Sequence, residues 1–435
     1  MSKVKESGVE WIGVIPNHWK TLPFKRLVRK HYGGCWGEEA KGDPQDILCI
    51  RIADFNFGNQ SIKETASTMR NYSLAQIEKG LLQDKDLIVE KSGGGEKTPV
   101  GRVVVFDEQQ FPNNAMFANF SECIRLKEGE NPRFVAYHLK ALYYAFDMRY
   151  YFHQTTGIQN LDMPAYLATK LCSPSLSEQQ MIVEYLDKKC GQVDELIKTV
   201  QSQIEKLKAY KISLITEAVT LGLNPNAETK ESGVEWFDRI NSSYNMQSIR
   251  SLFRIRKEII GHEPETVLSI TQKGLRVKDI NENSGQMANS YANYQIVHVG
   301  DFAMNHMDLL TGGIGISECE GVTSPDYRVF VKKNSEMCSK YFLYVFETYY
   351  RNKIFYAFGQ GAANLGRWRL PAQNFNSLLI PVPKTSEQFE IAAYLDKKCK
   401  QIEQLIEIKL KKIENLEQYK KSLIYEYVTG KKEVS

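Results

Sequence analysis

The sequence predicts a mixed α/β chain (α+β): two tandem globular units separated by two long antiparallel coiled-coil helices, the whole forming an internal pseudo-twofold repeat. Three observations predict it. Lys5-Glu6-Ser7-Gly8-Val9-Glu10-Trp11 recurs unchanged as Lys230-Glu231-Ser232-Gly233-Val234-Glu235-Trp236, an offset of 225. Ser177 to Ile197 recurs as Ser386 to Ile406, with thirteen of twenty-one positions identical at an offset of 209. Both of these longer segments open a heptad pattern. The order is therefore short motif, long variable region, helical block, and then the same again. The differing offsets put a sixteen-residue length change inside the variable region.

The variable regions, roughly 20–174 and 245–383, mix short β-branched and aromatic runs with Gly-rich turns, as small α/β units do. Asp86 to Glu90 and Arg102 to Phe106 read as strands, Arg133 to Tyr150 as a helix, and Lys340 to Tyr356 as its counterpart. In the first helical block Leu186, Val193, Val200, Leu207 and Leu214 lie seven apart, with Cys190, Ile197 and Ile204 in the companion seam before Lys211 and Ala218 weaken it. The second block matches with Leu395, Ile402, Leu416 and Leu423 beside Cys399, Ile406 and Ile413, and Lys409 interrupts where the first has Val200. Ser177-x-x-Gln180 and Thr385-x-x-Gln388 read as capping boxes, which puts helix starts near 176 and 385. Leu221-Gly222-Leu223-Asn224-Pro225-Asn226 should end the first helix. An amphipathic helix of this length leaves a stripe unburied, so each block is the other's natural partner.

The 435 residues, 42% apolar and 25% charged, exclude disordered and collagen-like classes. No apolar run approaches the length of a membrane span, and Met1 to Gly8 has no apolar signal core. Eight cysteines without a C-x-x-C pair fit reduced thiols in a cytoplasm. A net charge of +4 is too small to announce a polyanion partner, so any nucleic-acid surface must be local. There is no H-E-x-x-H, no zinc-type cysteine pairing, no G-x-S-x-G and no EF-hand loop. Gly93-Gly94-Gly95-Glu96-Lys97-Thr98 puts a carboxylate where a phosphate loop needs its second glycine. No strand leads into G-x-G-x-x-G, and Asn224-Pro225-Asn226 is not the base-holding loop of amino-methyltransferases. No metal site and no catalytic residue is expected.

What remains is a set of polar, Gly-rich stretches in corresponding regions. After the strand to Glu90, glycines in Lys91 to Arg102 let the backbone approach a partner, while Lys91, Ser92, Lys97, Thr98 and Arg102 can donate to phosphates. In the second region Asn305, His306 and Thr311 take that role. Thr155 to Asp162 offers Gln159 and Asn160. Its counterpart Asn364-Leu365-Gly366-Arg367-Trp368-Arg369 offers Asn364, Arg367, Trp368 and Arg369, with forked donors for guanine edges or phosphates and an amide for adenine. The two regions should then read different sequences.

Together these pieces resemble the specificity subunits of type I restriction-modification systems across essentially the whole chain. The resemblance rests on Glu-Ser-Gly-Val-Glu-Trp followed by Ile15-Pro16-x-x-Trp19, on Lys91-Ser92-Gly93-Gly94 to Val100-Gly101-Arg102, and on Gly321-Val322-x-Ser324-Pro325-Asp326-Tyr327. The two helix starts, Ser177-Glu178-Gln179 to Tyr185-Leu186-Asp187 and Ser386-Glu387-Gln388 to Tyr394-Leu395-Asp396, complete it. The second copy departs after Trp236, where Phe237-Asp238-Arg239-Ile240-Asn241 lacks the Ile-Pro and the later Trp. The resemblance implies two target recognition domains, 1–174 and 222–383, and two spacer helices, 175–221 and 384–435. Each domain would read half of a bipartite double-stranded DNA target, with Tyr327 added to the DNA-binding residues. It implies a non-catalytic chain with no cofactor, bound to two modification subunits that hold S-adenosylmethionine and methylate adenine, and joined by restriction (translocase-nuclease) subunits for cleavage. The twenty-eight steps from Leu186 to Leu214, at about 1.5 Å each, make a ruler of about 42 Å, or about 12 base pairs. Two other readings stay open: a self-sufficient DNA nuclease or methyltransferase with diverged motifs, and a coiled-coil scaffold for proteins.

Overall fold

The computed structural model describes residues 3–155, 157–272, 274–279, 290–361 and 368–434. The chain forms two compact units, residues 1–201 with 410–435, and residues 202–409. Among the described residues no helix is long and apolar enough to cross a membrane, and all eight cysteines are free.

The first unit opens on a hairpin in which Val4–Glu6 pairs with Val14–Pro16. Its central sheet takes β1 (Val28–Gly33), β2 (Leu87–Glu90), β3 (Val103–Val105) and β4 (Ser121–Leu126) in the order β3-β2-β4-β1, all antiparallel. A second sheet is built around Asp46–Ile50, which pairs in parallel with Ala115–Phe117. Helix α1 (Pro132–Ala145) covers the central sheet, and the hairpin β5 (Phe152–Thr155) and β6 (Ile158–Leu161) follows it. The predicted helix Arg133 to Tyr150 stops early because Phe146 is extended and Asp147 caps a separate 3-10 turn, Met148–Tyr151. Helix α2 (Leu176–Leu221) leaves this unit at residue 201.

The second unit repeats the plan. Its sheet runs β7-β10-β8-β9 from β7 (Phe253–Arg256), β8 (Phe302–Met304), β9 (Ile314–Ile316) and β10 (Arg328–Lys332). Helix α3 (Ser339–Arg351) packs on it, ending before a left-handed Lys353 that starts the short turn Ile354–Ala357, so this helix too is shorter than its sequence suggests. Helix α4 (Thr385–Val428) begins in this unit and ends in the first.

Both long helices start where the sequence puts them, but the capping differs. Ser175, not Ser177, makes the box: its hydroxyl donates to Glu178 (2.6 Å) while the Glu178 N–H donates back (3.3 Å). Gln180 instead reaches Glu184 and Asn131. At the second start Gln388 Nε2 donates to the Pro383 carbonyl (3.0 Å), as Gln179 does to Pro174 (3.2 Å). These buried amides, equivalent in the repeat, satisfy carbonyls that the incoming chain leaves unpaired.

The heptad seam is shared between units. In the first, Leu186 and Cys190 of α2 pack with Leu423, Ile424 and Val428 of α4, and also against Ile12, Trp19 and Phe134. Val193 and Val200 are buried, while Ile197, Ile413 and Leu416 are half-buried. In the second, Leu214 and the buried Ile204 of α2 face Leu395, Cys399 and Ile402 of α4, with Leu207 and Ile406 at the margin. The seam therefore doubles as core for the globular parts. The polar interruptions have partners: Lys211 pairs with Glu403 (2.5 Å) and Lys409 donates to Gln203 (2.7 Å) in the second unit, and Lys420 pairs with Asp194 (2.6 Å) in the first.

Asp187 and Asp396 tie each globular part to its long helix. Arg133 and the Tyr137 hydroxyl of α1 donate to Asp187 (2.9 and 2.6 Å), and Lys340 and the Tyr344 hydroxyl of α3 donate to Asp396 (both 2.8 Å). The repeated opening motif is likewise pinned. Trp19 Nε1–H donates to Glu178 (3.0 Å). In the second copy, which lacks that tryptophan, the fully buried Tyr244 donates its hydroxyl to Glu387 (2.7 Å), the equivalent carboxylate.

Candidate nucleic-acid interface

The antiparallel register fixes which segments share an end of each sheet. In the first unit Gly33 faces Glu122 and Glu90 faces Ser121, so β1 and β2 leave the sheet where β4 begins. Lys91 and Ser92 emerge there. The hairpin β5–β6 joins them, with Ser92 opposite Asn160, Gly93 opposite Gln159, and the Leu161 N–H donating to the Lys91 carbonyl (2.8 Å). In the second unit Met304 faces Arg328, and Asn305 and His306 emerge at the corresponding end. The Leu370 N–H donates to the His306 carbonyl (2.9 Å), and Gln360 and Arg369 exchange backbone bonds of 2.8 and 3.0 Å. Stretches picked out separately in the sequence are thus brought together, by the same hydrogen bond in each unit.

Within this frame the side chains divide. Gly95 and Thr98 exchange backbone bonds of 3.0 and 3.1 Å across Glu96-Lys97, making a tight tip on which Lys97 and Thr98 are exposed. Ser92 Oγ donates to Asn160 Oδ1 (2.7 Å), and Asn160 is exposed. Lys91 donates to the buried Glu122 (2.7 Å), whose other oxygen meets His31 (2.7 Å). Gln159 and Arg102, by contrast, are absorbed by packing. Gln159 is buried, accepting from the Val100 N–H (3.2 Å), and a Cβ on Gly94 (φ +63°) would lie 2.7 Å from the same oxygen. Gly94 is therefore required twice over, by its left-handed backbone and by the amide against it. Arg102 grips the buried Glu90 through two bonds (2.6 and 2.9 Å) and stacks on Phe57. Its guanidinium is held by this fork rather than offered outward.

In the second unit Arg369 is exposed, and Asn364 and Arg367 lie outside the described residues. Trp368 packs inward, donating to the Tyr356 carbonyl (2.6 Å) with its ring 5.5 Å from that of Tyr356. Asn305 folds over its own turn, accepting from the Met307 and Asp308 N–H groups (3.1 and 3.2 Å), and Thr311 hydrogen-bonds Asp308. Tyr327 is half-buried, its carbonyl accepting from Gln295 (2.7 Å). His306 is 5% exposed; burial, then the nearby Arg328 and Arg369, lowers its pKa to about 3, so it is neutral. Among the described residues no group of three or more His, Cys, Asp or Glu is placed to hold a metal.

Sequence reasoning missed the charges beneath these side chains. Asp86 is gripped by Arg125 of β4 (2.6 Å) and the equivalent Asp301 by Arg256 of β7 (2.7 Å), so the paired carboxylate is common to both units although its arginine comes from a different strand in each. Where the first unit has Glu122 holding Lys91, the second has Arg328, whose Nη2–H donates to the Leu370 carbonyl (2.8 Å) behind a neutral His306. Only the strand register aligns Glu122 with Arg328, and no sequence similarity marks it.

Residues 53–206 match the type I restriction modification DNA specificity domain. A putative type I restriction enzyme MjaX specificity subunit of Methanocaldococcus jannaschii is 23% identical, over 97% of this chain and 95% of its own length. A solved HsdS subunit from Thermoanaerobacter tengcongensis shares the fold at a TM-score of 0.50 and 12% identity, covering 98% of this chain and 99% of its own. A chain from a type I restriction-modification system, solved in a study of complex assembly and conformational transition, does so at 0.64 and 13%, covering 95% and 98%. The domain match, the full-length relative and the shared two-helix architecture agree: the chain carries a type I restriction modification DNA specificity domain over residues 53–206 and is similar along its length to type I restriction-enzyme specificity subunits.

Proposed function

We propose that each unit reads one half of a bipartite double-stranded DNA target at the sheet end described above, with target recognition domains at residues 1–174 and 222–383. The long helices at 175–221 and 384–435 set the number of unread base pairs and dock two modification subunits, which carry S-adenosylmethionine; restriction subunits join them, in the cytoplasm. The observation that carries this reading is the repeated frame with exchanged side chains. Leu161 on Lys91 and Leu370 on His306 are the same hydrogen bond, yet the first presents Lys97, Thr98, Ser92 and Asn160 and the second presents Arg369. A constant scaffold with different outward donors is what two different half-sites demand. Phosphates on the modification subunits' share of the duplex account for a net charge of only +4. Sequencing the methylated adenines of the host genome tests it: the expected result is two unlike half-sites with a fixed gap. A single continuous motif would refute the reading. Inserting one helical turn near residue 200 should lengthen the gap and leave both half-sites unchanged; altered half-sites would refute the ruler.

A further inference from the structure

Two exposed aromatics stand at the first unit's sheet end and have no part in the polar frame. Trp36 lies just beyond β1 and Phe120 just before β4, so the register sets them at the same end as Lys91 and Ser92. Phe120 is 53% exposed although its backbone is fixed, its carbonyl accepting the N–H groups of both Lys91 (2.8 Å) and Ser92 (3.0 Å). Trp36 is 41% exposed and is held from both sides. The Cys35 N–H donates to Phe117 (2.9 Å), and the Tyr72 hydroxyl donates to the Cys35 carbonyl (3.1 Å). Arg70 donates to the carbonyls of Trp36 (3.2 Å) and Gly37 (3.1 Å), with its guanidinium 4.7 Å from the indole centroid. A side chain at Gly34 would overlap the Ala118 carbonyl, so the two loops that carry the aromatics are pressed together.

Holding large apolar rings rigidly in water is unfavourable, and here the fold spends six hydrogen bonds to keep them in place. Arg70 sets a cation against the indole, and the exposed Lys97 stands on the Gly95–Thr98 tip of the segment that leaves the same sheet end; these charges suit a polyanion rather than an apolar protein surface. We propose that Trp36 and Phe120 are apolar wedges that press between base steps of duplex DNA in the half-site read by the first unit, while Arg70 and Lys97 hold flanking phosphates. This rests on the reading that the sheet end binds DNA. The register that aligns Glu122 with Arg328 puts Asp326 of the second unit where the first has Phe120, so the wedge is assigned to the half-site of the first unit.

The test uses the full chain assembled with its modification subunits and a randomised duplex library, sequenced after selection. Trp36→Ala and Phe120→Ala should each weaken binding by about tenfold and relax base preference at one or two positions of one half-site only. Trp36→Phe and Phe120→Tyr should restore it. Adding DNA to the unsubstituted complex should quench tryptophan fluorescence, and Trp36→Phe should abolish that quenching, a readout that needs no destabilising change. If Lys97→Ala weakens binding while both alanine variants select and bind normally, the wedge is overturned and the DNA reading stands. If all three variants bind as the unsubstituted chain does, the DNA reading of this sheet end fails with it.

Discussion

Lys140 on α1 is a buried ammonium with no carboxylate of its own, and its removal makes a sharp prediction. The residue is 8% exposed, and its Nζ–H donates to the Gly58 carbonyl (2.6 Å). Lys420 donates to the same carbonyl (2.9 Å), but it also holds Asp194. Burial, and secondarily the Lys420 charge, lowers the Lys140 pKa from 10.5 to about 7. Its folded pKa therefore lies below its unfolded one, so between pH 7 and 10.5 the unfolded chain binds more protons and stability rises with pH. Below about pH 7 the full penalty applies, on the order of 5 kcal/mol at about 1.4 kcal/mol per pKa unit. Lys140→Met keeps the volume and the apolar stem while deleting the charge, and Gly58 retains Lys420 as donor. The variant should be stabilised by a few kcal/mol at pH 6.5, and the gain should shrink as pH approaches 10. A chain of two units does not unfold in one step, so the measurement is hydrogen exchange of α1 amides across that pH range, variant against unsubstituted chain. A variant whose α1 protection falls at pH 6.5, or whose difference is flat with pH, would refute the reasoning.

Three further outcomes follow from particular contacts. Burial opposes it, but hydrogen bonds from Ser175, His18 and Trp19 hold the Glu178 carboxyl at about 2, so the stability it contributes is present above the ordinary carboxylate range and lost as pH falls toward 2. Glu178→Gln should flatten that part of an acid-denaturation curve. Glu387→Ala leaves the buried Tyr244 hydroxyl without its acceptor and should cost about 1–3 kcal/mol of local stability, read as lowered hydrogen-exchange protection at the start of α4, whereas Tyr244→Phe should cost less. Lys97→Ala should weaken DNA binding equally for every sequence and lower the salt slope by about 1, while Arg369→Ala should relax base choice in one half-site only; equal loss across sequences for Arg369→Ala would remove it from base reading.

The large-scale plan was legible because it is written in periodicity and repetition. Helix starts at Leu176 and Thr385 follow from a proline-bearing approach and a heptad, both local signals. The capping residue was misread by two positions, since Ser175 and Ser177 carry the same chemistry and only the helix phase chooses between them. Tyr244 was missed as the stand-in for Trp19 because a shared acceptor, not a shared side chain, makes them equivalent. The candidate site was legible as two polar stretches per unit, and their meeting was not, because a strand register joins residues about seventy positions apart. Inside those stretches, composition did not separate Gln159 and Trp368, which face the packing, from their neighbours Asn160 and Arg369, which face water. Alternation along an extended segment decides that, and the phase of the alternation is set by which face meets the core.

That alternation shows how one scaffold presents two different surfaces. Asp86 with Arg125 and Asp301 with Arg256 neutralise the entering end of the central strand in both units, and the backbone bond from Leu161 or Leu370 fixes its leaving end. These interactions set position and are kept. Between them, Lys91 on Glu122 has become His306 beside Arg328, which reverses the buried charge without moving the backbone bond that carries it. The two charges are met unequally: Glu122 has two donors, whereas Arg328 has the Leu370 carbonyl and the Phe375 ring 4.7 Å away but leaves its buried Nη1 without a protein partner, and burial lowers its pKa to about 10. A surface built this way can change sign at its centre while the hydrogen bonds that hold its edges stay the same; on the proposed reading, a new half-site then requires exchanged side chains rather than a new fold.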